Sequence, residues 1–165
     1  MLRHIAARAA GRDDLEAIRR IYNEGVEDRT ATLETEPKSS EDMAAWWSDH
    51  DQRYAVLVAV EENAVVGWAS LNRFSHRCAH NAIADLSVYV ARSERGKGIG
   101  TILLRDLERH AREAFHKIVL HALNDNAAGK RLYATAGFRE VGVFREHGQL
   151  DGKLVDVVAM EKLLR

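Results

Sequence analysis

Polar and apolar residues alternate, or recur at helical spacing, along nearly the whole chain. The two periods predict strands and helices in mixed order. Helices are expected from Leu15 onward, over 41–49 after a cap at Ser39 or Ser40, from the glycine-rich stretch to about 114, and over 126–135. Residues 24–37 are predicted to be a loop or a short bent helix. Strands are expected at 4–9, 54–60, 65–71, 83–90, 117–122, 138–144 and 155–163.

The predicted order of these elements is βααβββαβαββ. It indicates an α/β fold of the α+β type, in which a mixed central sheet carries helices on both faces.

Residues 95–100, Arg-Gly-Lys-Gly-Ile-Gly, connect a β-branched strand to an amphipathic helix. This order directs several backbone N–H groups and a helix N-terminus at one place, which favours an anion. Glycine lets the backbone come close to such a ligand, so we expect a pyrophosphate. A Walker loop is excluded because Gly-Lys-Ser/Thr is missing. A dinucleotide fingerprint beginning at Gly96 would need glycine where Thr101 stands. An ordinary turn with incidental glycines remains the alternative.

Composition narrows the class of protein. A length of 165 residues with 46% hydrophobic residues suits one domain, residues 1–165, with an ample core. The formal charge of −1 gives no basic field for nucleic acid. The single cysteine, Cys78, fits a reducing compartment. No apolar run reaches membrane-spanning length, and residues 1–4 lead into a strand pattern without a signal-peptide core. We therefore expect a cytoplasmic protein without nucleic-acid or membrane partners.

The arrangement Arg-x-x-Gly-x-Gly, formed by Arg95, Gly98 and Gly100, resembles the coenzyme A loop of the GCN5-related N-acetyltransferases. Further short sequence motifs occur in the same order as in the phosphinothricin-type branch of that family. They are Ile21-Tyr22-Asn23, residues 30–37 ending Glu-Thr-Glu-Pro, Ser87-Val88-Tyr89-Val90, Asn126-Ala127-Ala128 and Gly137-Phe138. The stretch 147–153 followed by Asp156 resembles members that acetylate arsinothricin. The resemblance covers nearly the whole chain. It implies the GCN5-related N-acetyltransferase fold, with splayed fourth and fifth strands, and a homodimer.

The resemblance also implies acetyl-CoA as the co-substrate. Its pyrophosphate would be held by backbone N–H groups of Arg95, Gly96, Lys97, Gly98, Ile99 and Gly100. The backbone of Val88, Tyr89 and Val90 would bind the pantetheine arm like an extra strand, although the side chains of Val88 and Val90 also suit a core. Asn126 would meet a pantetheine amide, or would serve only as a helix N-cap.

Asp85 is a charged residue in the middle of a central strand, where charges are unusual. Acyl transfer to an amine needs a group that takes the ammonium proton. The family usually carries Glu at this place, so the resemblance implies that Asp85 is the base, with a water relay favoured by its shorter side chain. A structural carboxylate paired with an arginine is the alternative.

Tyr133 lies two helical turns beyond Asn126 on the same helix face. In the wider family a tyrosine here protonates the leaving thiolate, and a buried core tyrosine is the alternative.

The remaining candidates concern the acceptor. The resemblance places Arg73 in the acceptor loop, where a guanidinium can grip a carboxylate bidentately. Glu34 could face the acceptor or be a solvated loop acid. His121 could act as a second base or be a satisfied core histidine. His76 and His80 are four residues apart without a helical pattern, so we expect no metal.

The predicted function is acetyl transfer from acetyl-CoA to the amine of a small amino acid or an amino-acid-like toxin of the phosphinothricin, methionine sulfoximine or arsinothricin type. Transfer would be direct, in a ternary complex, because no cysteine lies in a motif suited to a covalent relay. An acetyltransferase for protein or peptide amines and a non-catalytic coenzyme A-binding regulator are the alternatives.

Overall fold

The computed structural model describes residues 3–165, in which seven strands form one sheet in the order β1-β2-β3-β4-β5-β7-β6. Residues 1 and 2, part of the stretch in which we expect no signal peptide, lie outside this description. The strands are β1 (Ile5–Ala9), β2 (Val56–Glu61), β3 (Ala64–Arg73), β4 (Ile83–Val90), β5 (Lys117–Leu123), β6 (Arg139–Leu150) and β7 (Lys153–Leu163).

The helices are α1 (Leu15–Asp28), α2 (Ser40–Ser48), α3 (Ile99–Ala114) and α4 (Ala127–Thr135). The predicted order of elements and the mixed sheet are confirmed. Within residues 3–165, no helix is long and apolar enough to cross a membrane.

Two predicted boundaries were wrong. Helix α1 continues without a break to Asp28, through the start of a stretch expected to be a loop or a short bent helix, and ends where Arg29 adopts a φ of 56°. Long-range contacts outweigh the low helix propensity of Gly25 here. Gly25 packs closely against the ring of Tyr89, and Asp28 binds two arginines beyond β4. Strand β6 extends past residue 144 to Leu150, because it keeps pairing with β7 beyond an irregularity in their register.

The sheet separates two apolar clusters, as expected for helices on both faces. Helices α1 and α2 cover one face, where Ile18, Ile21 and Met43 pack against Val58 and Trp68. Helices α3 and α4 cover the other face. Its fully buried residues include Leu71, Ala84, Leu103, Leu107 and Ile118. Burying one such aliphatic side chain contributes about 1.5–3 kcal/mol, so these two clusters stabilise the sheet from both sides.

Strands β4 and β5 are parallel neighbours for only a short distance. Their pairing covers Ile83, Ala84 and Asp85 opposite residues 117–119. Beyond Asp85, β4 stays paired with β3 up to Val90, while β5 turns to β7. The two strands therefore separate at Asp85, which confirms the predicted splay. The edge of β4 that faces β5 has no strand neighbour from there onward.

Candidate active site

Two cavities open where β4 and β5 separate. The smaller one, about 270 Å³, follows the gap between the strands, and we call it the strand groove. The larger one, about 920 Å³, lies on the sheet face covered by α1 and α2, and we call it the helix cavity. Both are lined by Thr32, Asp85, Ser87 and Tyr89. A molecule in the groove and a second one in the cavity would therefore meet at Asp85.

The strand groove collects four of the ten predicted cofactor residues, whereas residues 95–100 do not line it. Val88, Tyr89 and Val90 form its β4 side, and Asn126 and Tyr133 lie across from them. The side-chain oxygen of Asn126 accepts a hydrogen bond from the N–H of Gly129 at 3.0 Å, so this residue does cap α4. The cap uses only the amide oxygen and leaves the amide nitrogen as a possible donor to a ligand.

The glycine-rich loop leads from β4 into α3. Gly96 and Gly98 have φ values of 77° and 84°, in the left-handed region that favours glycine, and Gly98 caps α3. The first N–H groups of α3 have no partner within the helix, so they can bind an anion. A Cβ on Gly98 would meet no atom within 4 Å. A Cβ on Gly100 would lie 3.0 Å from Leu132 of α4. Gly98 therefore serves backbone conformation, whereas Gly100 serves packing between two helices.

The charged side chains of this loop are bound to the protein itself. Arg95 lies 2.6 Å from a carboxylate oxygen of Asp28, and Arg92 lies 2.8 Å from the other. Hydrogen bonds from the two arginines hold the pKa of Asp28 below its usual value. Lys97 donates to the backbone of Ser93 at 3.0 Å. The arginines fasten the loop to the end of α1, and the N–H groups of the loop remain for a ligand.

Asp85 lies at the junction of the two cavities. Burial raises the pKa of its carboxyl to about 6, against the effect of a hydrogen bond from Asn72 at 2.9 Å and one from the backbone N–H of Leu86. Among residues 3–165, no lysine or arginine is paired with this carboxylate, so the structure does not support the alternative of an arginine-paired structural acid. A carboxyl group with a pKa near 6 can exchange protons at neutral pH.

Tyr133 faces the same junction from α4. Its ring packs edge-on against Phe138 at a centroid distance of 5.9 Å. Burial and the nearby charge of Asp85 raise the pKa of Tyr133, so its hydroxyl keeps its proton at neutral pH. The groove is thus flanked by a group that can take a proton and a group that can give one.

The acceptor candidates separate into the two cavities. Arg73 and Glu34 line the helix cavity. The guanidinium carbon of Arg73 lies 5.6 Å from the ring centre of Tyr54, and the carboxylate of Glu34 lies 3.4 Å from Lys38. The rest of this cavity combines polar and charged side chains with the aromatic rings of Tyr22, Trp46, Trp68, Phe74 and Tyr89.

His121 lies in the strand groove and does not line the helix cavity. The residue is exposed at the surface and its ring is only partly covered, which does not match the alternative of a core histidine. Partial burial and the like charge of His147 lower its pKa. We predicted that the site holds no metal ion. Among residues 3–165, no three His, Cys, Asp or Glu side chains lie close enough together to act as metal ligands.

Three residues connected to Asp85, namely Ser70, Asn72 and His50, were missed by the sequence analysis. Asn72 pairs across the strands with Asp85, and Ser70 pairs with Ser87. The polar positions 70 and 72 alternate with apolar ones in a buried strand, which is a pattern that could have indicated a functional face. His50 lies 3.0 Å from Asn72. It follows the end of α2, and nothing local in the sequence connects it to β3.

The acetyltransferase (GNAT) family matches residues 15–138. The phosphinothricin N-acetyltransferase of Streptomyces coelicolor is 30% identical over 165 residues, which cover 97% of this chain and 96% of that protein. The L-methionine sulfoximine/L-methionine sulfone acetyltransferase of Pseudomonas aeruginosa is 33% identical over 157 residues, 93% of this chain and 91% of that protein. The crystal structure of a GNAT superfamily phosphinothricin acetyltransferase from Sinorhizobium meliloti, in complex with AcCoA, has a TM-score of 0.92 at 29% identity and covers 96% of this chain and 88% of that one. The chain therefore belongs to the GNAT acetyltransferase family.

Proposed function

We propose that residues 1–165 form a single N-acetyltransferase domain that acetylates the amine of a small amino acid or an amino-acid-like toxin. The observation that carries this proposal is the meeting of the strand groove and the helix cavity at Asp85. It allows acetyl-CoA and the acceptor to be bound together, so that the acetyl group passes directly between them in a ternary complex. Direct transfer needs reacting atoms held in contact, which two joined cavities provide.

Acetyl-CoA is assigned to the strand groove. The N–H groups of Arg95, Gly96, Lys97, Gly98, Ile99 and Gly100 would hold the pyrophosphate. The free edge of β4 at Val88, Tyr89 and Val90 would add the pantetheine arm as a further strand, and Asn126 would donate to it from its amide nitrogen. The Sinorhizobium meliloti relative was crystallised with AcCoA, which supports this assignment.

Asp85 and Tyr133 are assigned the two proton transfers. Asp85 takes a proton from the acceptor ammonium, directly or through a water molecule, because only the free amine is a nucleophile. The amine nitrogen then forms a bond to the thioester carbon, and the carbon–sulfur bond breaks. Tyr133 gives its proton to the leaving thiolate and is reprotonated by the second proton that the nitrogen loses as the amide forms, and the proton on Asp85 is released to solvent. The amide product and free coenzyme A result.

The acceptor is assigned to the helix cavity, with Arg73 as the partner of its carboxylate. A planar guanidinium matches a carboxylate and stays charged at every relevant pH. Glu34 lies at the exposed margin of the cavity and would face the acceptor amine there. His121 would lie next to the reacting groups on the side of the strand groove. The relatives from Streptomyces coelicolor and Pseudomonas aeruginosa are named for phosphinothricin and for methionine sulfoximine and sulfone, which are amino-acid-like.

We further propose that the protein is a cytoplasmic homodimer that needs no metal and binds neither nucleic acid nor membranes. The outer strands support a dimer because they expose large apolar side chains. Val141, Val143, Phe144 and Leu154 are 54%, 42%, 47% and 59% exposed. Apolar side chains grouped in this way mark interaction sites on soluble proteins. A second copy of the chain is the proposed occupant.

An acceptor screen tests the proposed function. Coenzyme A release is measured with acetyl-CoA and four groups of amines, namely glutamate-like analogues, free amino acids, polyamines and peptides. We expect the highest kcat/KM for amines that carry a neighbouring carboxylate. Preference for peptides would replace the proposal by the protein or peptide acetyltransferase alternative. Tight acetyl-CoA binding in calorimetry without turnover of any amine would favour a non-catalytic regulator.

A further inference from the structure

Asn72 is the centre of a closed set of hydrogen bonds at the floor of the helix cavity. Its side-chain oxygen lies 2.8 Å from the hydroxyl of Ser70 and 3.0 Å from Nε2 of His50. Its side-chain nitrogen lies 2.9 Å from a carboxylate oxygen of Asp85 and 3.0 Å from the hydroxyl of Ser87. An amide group has two donor hydrogens and an oxygen with two lone pairs, so every position is occupied.

His50 faces the oxygen end of this amide. Its Nδ1 lies 2.7 Å from the backbone carbonyl of Trp46, which can only accept, so Nδ1 carries a hydrogen. Its Nε2 lies 3.0 Å from the amide oxygen of Asn72, so the orientation that the amide has in the structure needs Nε2 to be a donor as well.

The opposite orientation of the amide would require different protonation at both ends. The oxygen of Asn72 would then face Asp85 and Ser87, and its nitrogen would face His50 and Ser70. An ionised carboxylate has no hydrogen to donate, so Asp85 would have to be protonated. His50 would have to accept through Nε2 and carry a hydrogen on Nδ1 alone. The orientation of one amide group thus links the protonation of Asp85 to that of His50.

We propose that His50 and Asn72 are positioning residues for the acetyl transfer. His50 fixes the amide of Asn72 in the orientation that donates to Asp85, and this hydrogen bond keeps the buried carboxylate deprotonated and directed at the acceptor amine. The inference rests on the proposed function, in which Asp85 is the base. Both residues act through Asp85.

The other titratable groups around the cavity do not take over the role of Asn72 and His50 at Asp85. The further charged or titratable groups that line the cavity, besides its tyrosines, are Glu34, Lys38, Asp42, Asp49, Arg73 and His76, and burial raises the pKa of the Tyr22 phenol. Glu34 is paired with Lys38, and Asp42 accepts from the backbone N–H of Ser39 at the start of α2. The phenols nearest to Asp85 are those of Tyr89 and Tyr133. Burial raises the pKa of both, so they stay neutral around pH 6.

The test compares the pH dependence of kcat/KM in three variants. His50→Phe keeps an aromatic ring but removes both N–H groups, and Asn72→Leu keeps the size but removes the amide. In both, the acid limb of kcat/KM should move up by about one pH unit, because a carboxylate that loses a donor protonates more easily. The KM for acetyl-CoA should stay unchanged. His50→Gln, which restores an amide donor, should return part of the shift.

A control variant and a second measurement keep the outcome clear. His110→Gln removes an exposed imidazole on α3, away from both cavities, and should leave the acid limb in place. The carboxyl carbon of Asp85 is titrated by ¹³C NMR in the wild type and in His50→Phe, which needs no turnover. The imidazole ¹⁵N shifts of His50 in the wild type report whether both ring nitrogens carry hydrogen near neutral pH.

Each result decides the matter. An unmoved acid limb in His50→Phe and Asn72→Leu, with Asp85→Asn inactive, would overturn the positioning role and leave the proposed function intact. If the wild type acetylates no amine, the proposed function fails, and the ¹³C titration still shows whether His50 and Asp85 are coupled. If the variants do not fold, a single protonated nitrogen on His50 in the wild type would overturn the proposal, and two would support it.

Discussion

The strand groove and the helix cavity are built in different ways. The groove follows the backbone edge of β4 that β5 leaves unpaired, and the glycine-rich loop with the first N–H groups of α3 comes after that strand in the chain. The helix cavity is made of side chains contributed by α1, α2, β3 and β4 together with the segments before α2 and after β3. Backbone groups are the same whatever the residue, so the groove suits an invariant co-substrate. Side chains can be exchanged one at a time, so the cavity suits an acceptor that differs between relatives.

The largest effect is expected where the two cavities meet. Asp85→Asn keeps the size of the side chain but cannot take the ammonium proton, so kcat should fall by about 10²–10⁴-fold, the usual contribution of a positioned general base. Acetyl-CoA affinity, measured by calorimetry, should be nearly unchanged. Turnover equal to that of the wild type across the whole pH range would show that Asp85 is structural, and His121 would then be the next base to test.

The same group should govern the pH dependence of the wild type. Burial raises the pKa of Asp85 to about 6, and the base is active in its deprotonated form. kcat/KM should therefore be level above that pH and fall about tenfold per pH unit below it. The free energy of unfolding is measured in parallel, because a loss of folded protein over the same range would be a different cause. An acid limb centred near pH 4 would contradict the effect of burial.

An effect confined to the cavity is expected from Arg73. Arg73→Ala should raise the acceptor KM about ten- to a hundred-fold, since a charge-assisted contact contributes about 1.5–3 kcal/mol. The KM for acetyl-CoA should not change. Arg73→Lys should recover only part of the loss, because the paired donors of the guanidinium are missing.

Arg77 gives a matched control for Arg73. It is an exposed arginine a few residues further along that lines neither cavity, and Arg77→Ala should leave both KM values as they are. Equal effects of the two variants would indicate a general loss of positive charge rather than a carboxylate contact. An acceptor without a carboxylate as the best substrate would remove the basis for this assignment.

An effect confined to the groove is expected from Gly98. A β-branched residue is strained at its φ of 84°, by about 1–3 kcal/mol, although space for a Cβ exists. Gly98→Val should therefore reorient the first N–H groups of α3 and weaken acetyl-CoA binding by about five- to a hundred-fold. Gly100→Ala is the comparison. Its Cβ meets Leu132, so it should lower the thermal unfolding temperature more than it weakens binding. The reverse ranking of the two variants would refute the different roles given to these glycines.

The smallest effect is expected from Asp28, which fastens the loop from outside the groove. Asp28→Asn weakens the exposed pairs with Arg92 and Arg95, so the KM for acetyl-CoA should rise by only about two- to five-fold. The rise should shrink in high salt, where such pairs are screened in the wild type as well. If the KM for acetyl-CoA rose more in Asp28→Asn than in Gly98→Val, the two arginine pairs would be holding the loop more strongly than exposed ion pairs usually do.

The sequence predicted the groove better than the cavity. β4 and the glycine-rich loop follow each other in the chain, Asn126 caps the next helix, and the local pattern around each defines its structure. His50 and Asn72 are brought together only by the packing of α2 on β3, which no local pattern encodes. The end of α1 was missed for the same reason, because residues 24–28 are helical through contacts with Tyr89, Arg92 and Arg95. The order of elements needed only periodicity and turn residues, and so it was predicted in full.

The point at which β4 and β5 separate also sets a length. The last position at which β4 pairs with β5 is Asp85, and β4 then runs to Val90 ahead of the glycine-rich loop. Five residues of extended chain span about 17 Å at 3.3 Å per residue. In the proposed function, β4 therefore sets the distance between the anion site and the base. An acyl donor whose phosphate lies next to its acyl group, such as acetyl phosphate, is too short to occupy both ends at once. The fold thus selects donors by the reach of the arm that joins their phosphate to their acyl group.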